Sequence, residues 1–265
     1  MPVPGGLVRA PRECVDRHFP VCLLDTPPVS ASSPVPSGPV PSSRGSRFSE
    51  ELWSHGAATY AEILRHPFLT GLTDGSLDRQ AFRYFVIQDN HYLRGYARAL
   101  ALVAARATDP DAVALFAAHA SEAIEVEKGL HVSLLAGLEL SPADVETDGS
   151  GPTTTAYTSY LLAVCATGTF AEAVATVLPC YWVYRDVGRE LLTRSSPDPL
   201  YAQWIATYSS PEFDAVVESV LAVTDGLGDD LGPSERQRCH QHFATTTRYE
   251  WMFWDAAYRQ LAWPV

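Results

Sequence analysis

Lysine is nearly absent from this 265-residue chain: Lys128 is the only one, and 19 basic residues in all stand against 31 acidic ones. The formal net charge is −12. A surface of that sign repels phosphate backbones and anionic bilayers, which argues against nucleic acid and membrane as partners. Cysteine is scarce as well, with five residues, Cys14, Cys22, Cys165, Cys180 and Cys239, none of them in a C-x-x-C pair. An odd number of scattered thiols makes no disulfide framework and implies reduced cysteines in a cytoplasmic setting. Long uninterrupted apolar runs are missing. The nearest approach, Leu161 to Tyr184, is broken by Gly168, Glu172 and Pro179 and reads as buried helix rather than a membrane span. No stretch alternates apolar and polar residues long enough for a strand, and there is no internal repeat, Gly-rich phosphate loop or G-x-S-x-G elbow.

What the chain does contain is unevenly placed. Residues 1–47 hold ten of the 20 prolines, with serine and glycine between them, and carry five arginines against three acids. Such a segment buries too little apolar surface to offset the entropy of ordering, so it is expected to be a disordered extension preceding a domain at 48–265. From Phe48 onward the pattern is helical. Ser49 is a candidate cap for a first helix that Pro67 ends. A turn at Asp74 to Ser76 precedes a second helix, from near Leu77 to about Thr108. Asp109 and Pro110 open a third helix, to about Leu138, and a polar loop follows at 141–153. Further helices are expected at about 155–168, 170–194, 201–208, 211–226 and from Pro233 to about Trp263. The fold class is all-α, a bundle of seven or eight helices with short connections.

Several acids fall inside aromatic stripes. Asp89, Tyr92 and Tyr96 are spaced to share one helix face, and Glu250 shares a face with Phe253 one turn before Trp254. Burying an acid among aromatics is costly unless it binds something. The alternative for Asp89 is an outward position or a pairing with Arg94 or Arg98. Cys180 lies in an aromatic stretch, Leu178 to Tyr184, directly after Pro179. A lone cysteine is more often a small core residue than a nucleophile, and spacing alone leaves both open for Cys180. Glu127 with His131, and His119 with Glu122, have spacings that could bind a metal from one helix, although a di-iron bundle needs a matching pair on a second helix.

The stretches Phe85 to Leu93, Tyr157 to Tyr160, Leu178 to Tyr184, Trp204 to Tyr208 and Tyr249 to Trp254 occur in an order that resembles the TenA/thiaminase II family, in its cysteine-containing branch. The resemblance runs from Phe48 to Trp263. It implies a haem-oxygenase-like all-α fold without haem or other cofactor, a homotetramer, and hydrolysis of thiamin-related aminopyrimidines to hydroxymethyl pyrimidine for thiamin salvage. It also implies site roles: Cys180 as nucleophile, Asp89 on the pyrimidine's amino group and Glu250 as acid/base. Tyr92 and Phe253 would pack the ring, with Tyr157, Tyr184 and Tyr208 near the pocket and no metal. Asp186 departs from the family pattern, where a glutamate is expected. The implied chemistry requires a protonated Glu250, hence a raised pKa from apolar surroundings. Two other readings stand beside it: a metal-dependent oxygenase built on His119, Glu122, Glu127 and His131, and a non-catalytic pyrimidine-binding or regulatory protein.

Overall fold

A computed structural model describes residues 46–265, apart from the side chains of residues 126–133 and 142. The expectation of a disordered extension therefore falls almost entirely outside the described residues. Within them the chain is all-α. Its helices are α1 (Phe48–Leu64), α2 (Pro67–Asp74), α3 (Arg79–Arg106), α4 (Pro110–Gly137) and α5 (Pro142–Asp148), followed by α6 (Pro152–Thr167), α7 (Phe170–Leu192), α8 (Pro199–Tyr208), α9 (Pro211–Gly228) and α10 (Pro233–Arg259).

Ten helices replace the expected seven or eight because two prolines start helices where termination or loop was expected. Pro67 does end α1, but it also occupies the first position of α2, where its missing N–H is unneeded. Pro142 plays the same part for α5, which is capped by Ser141. Ser49 is not the cap of α1. Arg47 takes that position, its backbone N–H donating to Glu50, while the Ser49 N–H donates to Asp225 Oδ1 at 2.8 Å.

Helix α7 runs through the core. Its N-terminus is a capping box between Thr169 and Glu172. Its buried residues, among them Val174, Val177, Leu178, Tyr181, Tyr184 and Val187, lie on every face, as a helix surrounded by others requires. Glu172, the acid that interrupts this apolar run, pairs with Arg238 of α10. α7 packs chiefly on α10, α8, α9 and α6, and α3 packs on α4 and α6. Where α2, α3, α8 and α10 meet, Phe85 stacks on Trp254 with centroids 5.0 Å apart, and Phe68 and Trp204 close around them. Both tryptophans are fully buried. This aromatic layer is the rigid floor beneath the site.

Candidate active site

The site begins with a proline inside a helix. Pro179 has no N–H for the Ala175 carbonyl and crowds that turn, a defect that typically costs about 3 kcal/mol in a helix interior. The Tyr96 hydroxyl of α3 donates to the neighbouring Val177 carbonyl at 3.0 Å, tying α3 to α7 at this turn. Cys180 follows immediately. Of the three cysteines described, Cys165 and Cys239 are buried, whereas Cys180 is partly open.

Cys180 is open because it faces a cavity of about 300 Å³. From α3 the wall takes Asp89, Tyr92 and Tyr96; from α7, Cys180, Tyr181 and Tyr184; from α8, Tyr208. His119 and Glu122 of α4, and Glu212, Phe213 and Val216 of α9, also line it. The period of α3 brings Asp89 onto the same wall as Tyr92 and Tyr96, and Asp89 is 4% exposed. It does not point outward to solvent. Tyr208 reaches the cavity because α8 ends hard against α7. A Cβ on Gly188 would lie 2.6 Å from the Tyr208 backbone, so only glycine admits this approach.

Glu250, Tyr157 and Phe253 form a second layer behind the wall. The Tyr157 hydroxyl donates to Glu250 Oε1 at 2.6 Å, and Glu250 is 1% exposed. The Tyr92 ring joins the layers, with centroids 5.0 Å from Tyr157 and 5.6 Å from Phe253. Tyr92 and Phe253 are thus in direct ring contact and leave no room between them for a flat substrate. The aromatic surfaces that do open on the cavity are Tyr92, Tyr96, Tyr181, Tyr184, Tyr208 and Phe213.

The electrostatics follow from burial. Burial raises the Glu250 pKa to about 8; the Tyr157 hydrogen bond opposes the rise and the Asp89 charge adds to it. Glu250 is therefore a protonated acid at neutral pH. Burial also pushes the Cys180 thiol well above its ordinary value, the Glu250 charge adds to the rise, and the Tyr92 and Tyr96 hydroxyls oppose it. The Tyr92 hydroxyl nevertheless has no hydrogen-bond partner among the described residues. Burial holds the tyrosines at 92, 96, 157, 181, 184 and 208 well above 10, so all keep their protons.

Every residue singled out as catalytic or ring-binding in the sequence belongs to one of these two layers. Tyr181, Glu212, Phe213 and Val216 were not foreseen. Tyr181 stands next to Cys180 in sequence, a visible signal, but the α9 residues lack any. His119 and Glu122 do line the cavity. The His119 Nδ1 lies 3.0 Å from the Tyr181 hydroxyl, and burial lowers the His119 pKa. Among the described residues no three His, Cys, Asp or Glu side chains gather as metal ligands, and the side chains of Glu127 and His131 lie outside the description. Asp186, the shorter acid, accepts from Arg185 Nε at 2.9 Å, and Arg185 also pairs with Glu218.

Comparison with known proteins agrees with this architecture. Residues 53–260 match the TENA/THI-4/PQQC family, and the chain belongs to it. It is 35% identical over 217 residues to the aminopyrimidine aminohydrolase of Bacillus subtilis, covering 82% of this chain and 92% of that one. A TenA homologue from P. horikoshii superposes with a TM-score of 0.74 at 28% identity, covering 81% of this chain and 99% of the other. A Shewanella denitrificans domain with a heme oxygenase-like fold shares the fold at 17% identity and a TM-score of 0.65, covering 80% of this chain and 92% of that domain.

Proposed function

We propose that this member of the TENA/THI-4/PQQC family hydrolyses the C–N bond at the methylene carbon of thiamin-related aminopyrimidines, by covalent catalysis through Cys180. The substrates are 4-amino-5-aminomethyl-2-methylpyrimidine, thiamin, or both, and the product is hydroxymethyl pyrimidine. The observation that carries this reading is the juxtaposition of Cys180 and Asp89 on one cavity wall with a protonated Glu250 directly behind it. The aminohydrolase name of the Bacillus subtilis relative supports the same chemistry.

The residues divide the work as follows. Asp89 accepts hydrogen bonds from the exocyclic amine and sets the ring's orientation. The neutral tyrosines offer flat apolar faces and protonated hydroxyls. Since Tyr92 and Phe253 already touch, the ring rests against Tyr92 from the cavity side, and Phe253 supports Tyr92 from behind.

Glu250 is the proton source for a ring nitrogen, which requires the Tyr92 ring between it and the cavity to shift on binding, and the protonated ring is a better electrophile. Its protonated state serves a second end: an ionised Glu250 opposes a thiolate at Cys180, and a neutral one does not. The Cys180 sulfur adds to a ring carbon, its thiol proton passing to the departing amine (or, with thiamin, to water). The ring's electron pair then expels the amine from the methylene, and the proton on the ring nitrogen returns to Glu250. Water adds at the methylene, its released proton goes to the sulfur as the C–S bond breaks, and the alcohol leaves with Cys180 again a thiol. The resemblance to the family extends this proposal to a cytoplasmic homotetramer that salvages the pyrimidine.

The test is product analysis with thiamin and aminomethyl pyrimidine side by side, on the parent protein and on Cys180→Ser. Turnover should vanish in the variant while pyrimidine binding persists. Near-full activity in Cys180→Ser would rule out covalent catalysis. The ratio of the two kcat/KM values identifies the preferred leaving group.

A further inference from the structure

The cavity has two unlike ends. Its inner end holds Asp89, Tyr92 and Cys180; Asp89 and Tyr92 are 4% and 3% exposed. Its outer end opens to solvent between α4 and α9, where Glu122 and Glu212 line it with both side chains exposed. Among the described residues no lysine or arginine lines the cavity and neither glutamate makes an ion pair. The one basic side chain there, His119, has a pKa lowered by burial and is uncharged at neutral pH. A dipole role alone accounts for Glu212, which sits in the first turn of α9, but not for Glu122 in the middle of α4. At the inner end of the same cavity the buried Tyr92 hydroxyl meets no hydrogen-bond geometry among the described residues, which marks the cavity as a place for a polar ligand.

We propose that Glu122 and Glu212 form a leaving-group subsite that selects substrates by charge, favouring a cationic leaving group over a neutral one and rejecting an anionic one. This rests on the aminopyrimidine reading. With the ring's amine on Asp89 and its methylene near Cys180, the leaving group can extend only toward the open end. There it meets two carboxylates. A thiazolium or a protonated amine gains attraction, and a phosphorylated tail meets repulsion. The attraction weakens as the bond breaks, because the cationic group leaves neutral. The subsite therefore tightens ground-state binding, lowering KM and kcat together, and its selectivity is read in affinity.

Calorimetric titration of the Cys180→Ser protein separates this from catalysis. The ligands are thiamin, a neutral N-acetyl derivative of aminomethyl pyrimidine, and thiamin monophosphate. The double variant E122Q/E212Q should lower the affinity ratio of thiamin to the neutral ligand by about threefold to tenfold, the scale of two charges acting across solvent-exposed distances. It should also improve the relative binding of the phosphate. Raising the salt concentration should shrink the same ratio in the parent and leave it flat in the double variant. The double variant D229N/D230N, an equal charge change away from the cavity, should leave the ratio unmoved. An unchanged ratio in E122Q/E212Q, or an equal change in D229N/D230N, overturns the subsite. A hydrolytically silent parent that keeps the charge-dependent ratio overturns the hydrolase reading instead.

Discussion

Two glutamates interrupt the apolar and aromatic helices of this protein, and they differ in what keeps them there. Glu172, at the N-terminus of α7, is 6% exposed; burial raises its pKa, but Arg238 and the Thr169 backbone N–H outweigh burial and lower it overall. Glu250, in the middle of α10, is 1% exposed, receives one hydroxyl from Tyr157 and meets no cation among the described residues, and its pKa rises to about 8. Both look alike in sequence. A buried acid given a cation and a helix terminus is a structural joint. A buried acid denied both is held in its neutral form, which is the form a proton donor at neutral pH requires.

The largest effect should come from replacing the second of these. Glu250→Gln keeps an acceptor for Tyr157 but loses the transferable proton, and kcat should fall by about 10²–10⁴-fold with the melting profile intact. Glu172→Gln should leave kcat within a fewfold of the parent. An equal loss in both variants would erase the distinction.

The pH dependence of stability sharpens the same contrast. Glu250 has a higher pKa folded than the 4.5 of an unperturbed glutamate, so the folded state holds the extra proton and stability falls as pH rises from 4.5 through about 8. Relative to the parent, Glu250→Gln should therefore gain stability across that window, on the order of 4 kcal/mol between urea melts at pH 5 and pH 9. For Glu172, whose pKa is lowered, the sign is reversed: its contribution is present above 4.5 and is lost as pH falls below it. The kcat/KM of the parent should decline above about pH 8 as Glu250 loses its proton.

Two smaller effects concern the scaffold. Gly188→Ala forces α8 away from α7 and should destabilise by about 2 kcal/mol while raising KM, because Tyr208 moves with the helix. Glu172→Ala removes half of a capping box and should cost about 1 kcal/mol in denaturant melts without altering KM.

The legibility of the site varies by wall. Asp89, Tyr92 and Tyr96 could be read from one helical period, and Glu250 and Phe253 from another, because a helix converts spacing into a shared face. The contact between Tyr92 and Phe253 could not, since it joins α3 to α10 across more than 150 residues of chain. The α9 contributors were invisible for a like reason: Phe213 and Val216 are ordinary apolar residues of an amphipathic helix until α9 is seen to edge the cavity. Pro67 and Pro142 misled because a proline ends one helix and begins another with equal ease.

By itself the sequence determined the all-α class, the helix-breaking points, and which side chains share a face. These follow from local periodicity and the backbone chemistry of proline, glycine and capping residues. Only the tertiary structure decided that Cys180 opens on a cavity while Cys165 and Cys239 do not, that Arg238 reaches Glu172, and that no cation among the described residues reaches Glu250. Desolvation and Coulomb terms depend on neighbours brought from distant parts of the chain, and no local pattern encodes them.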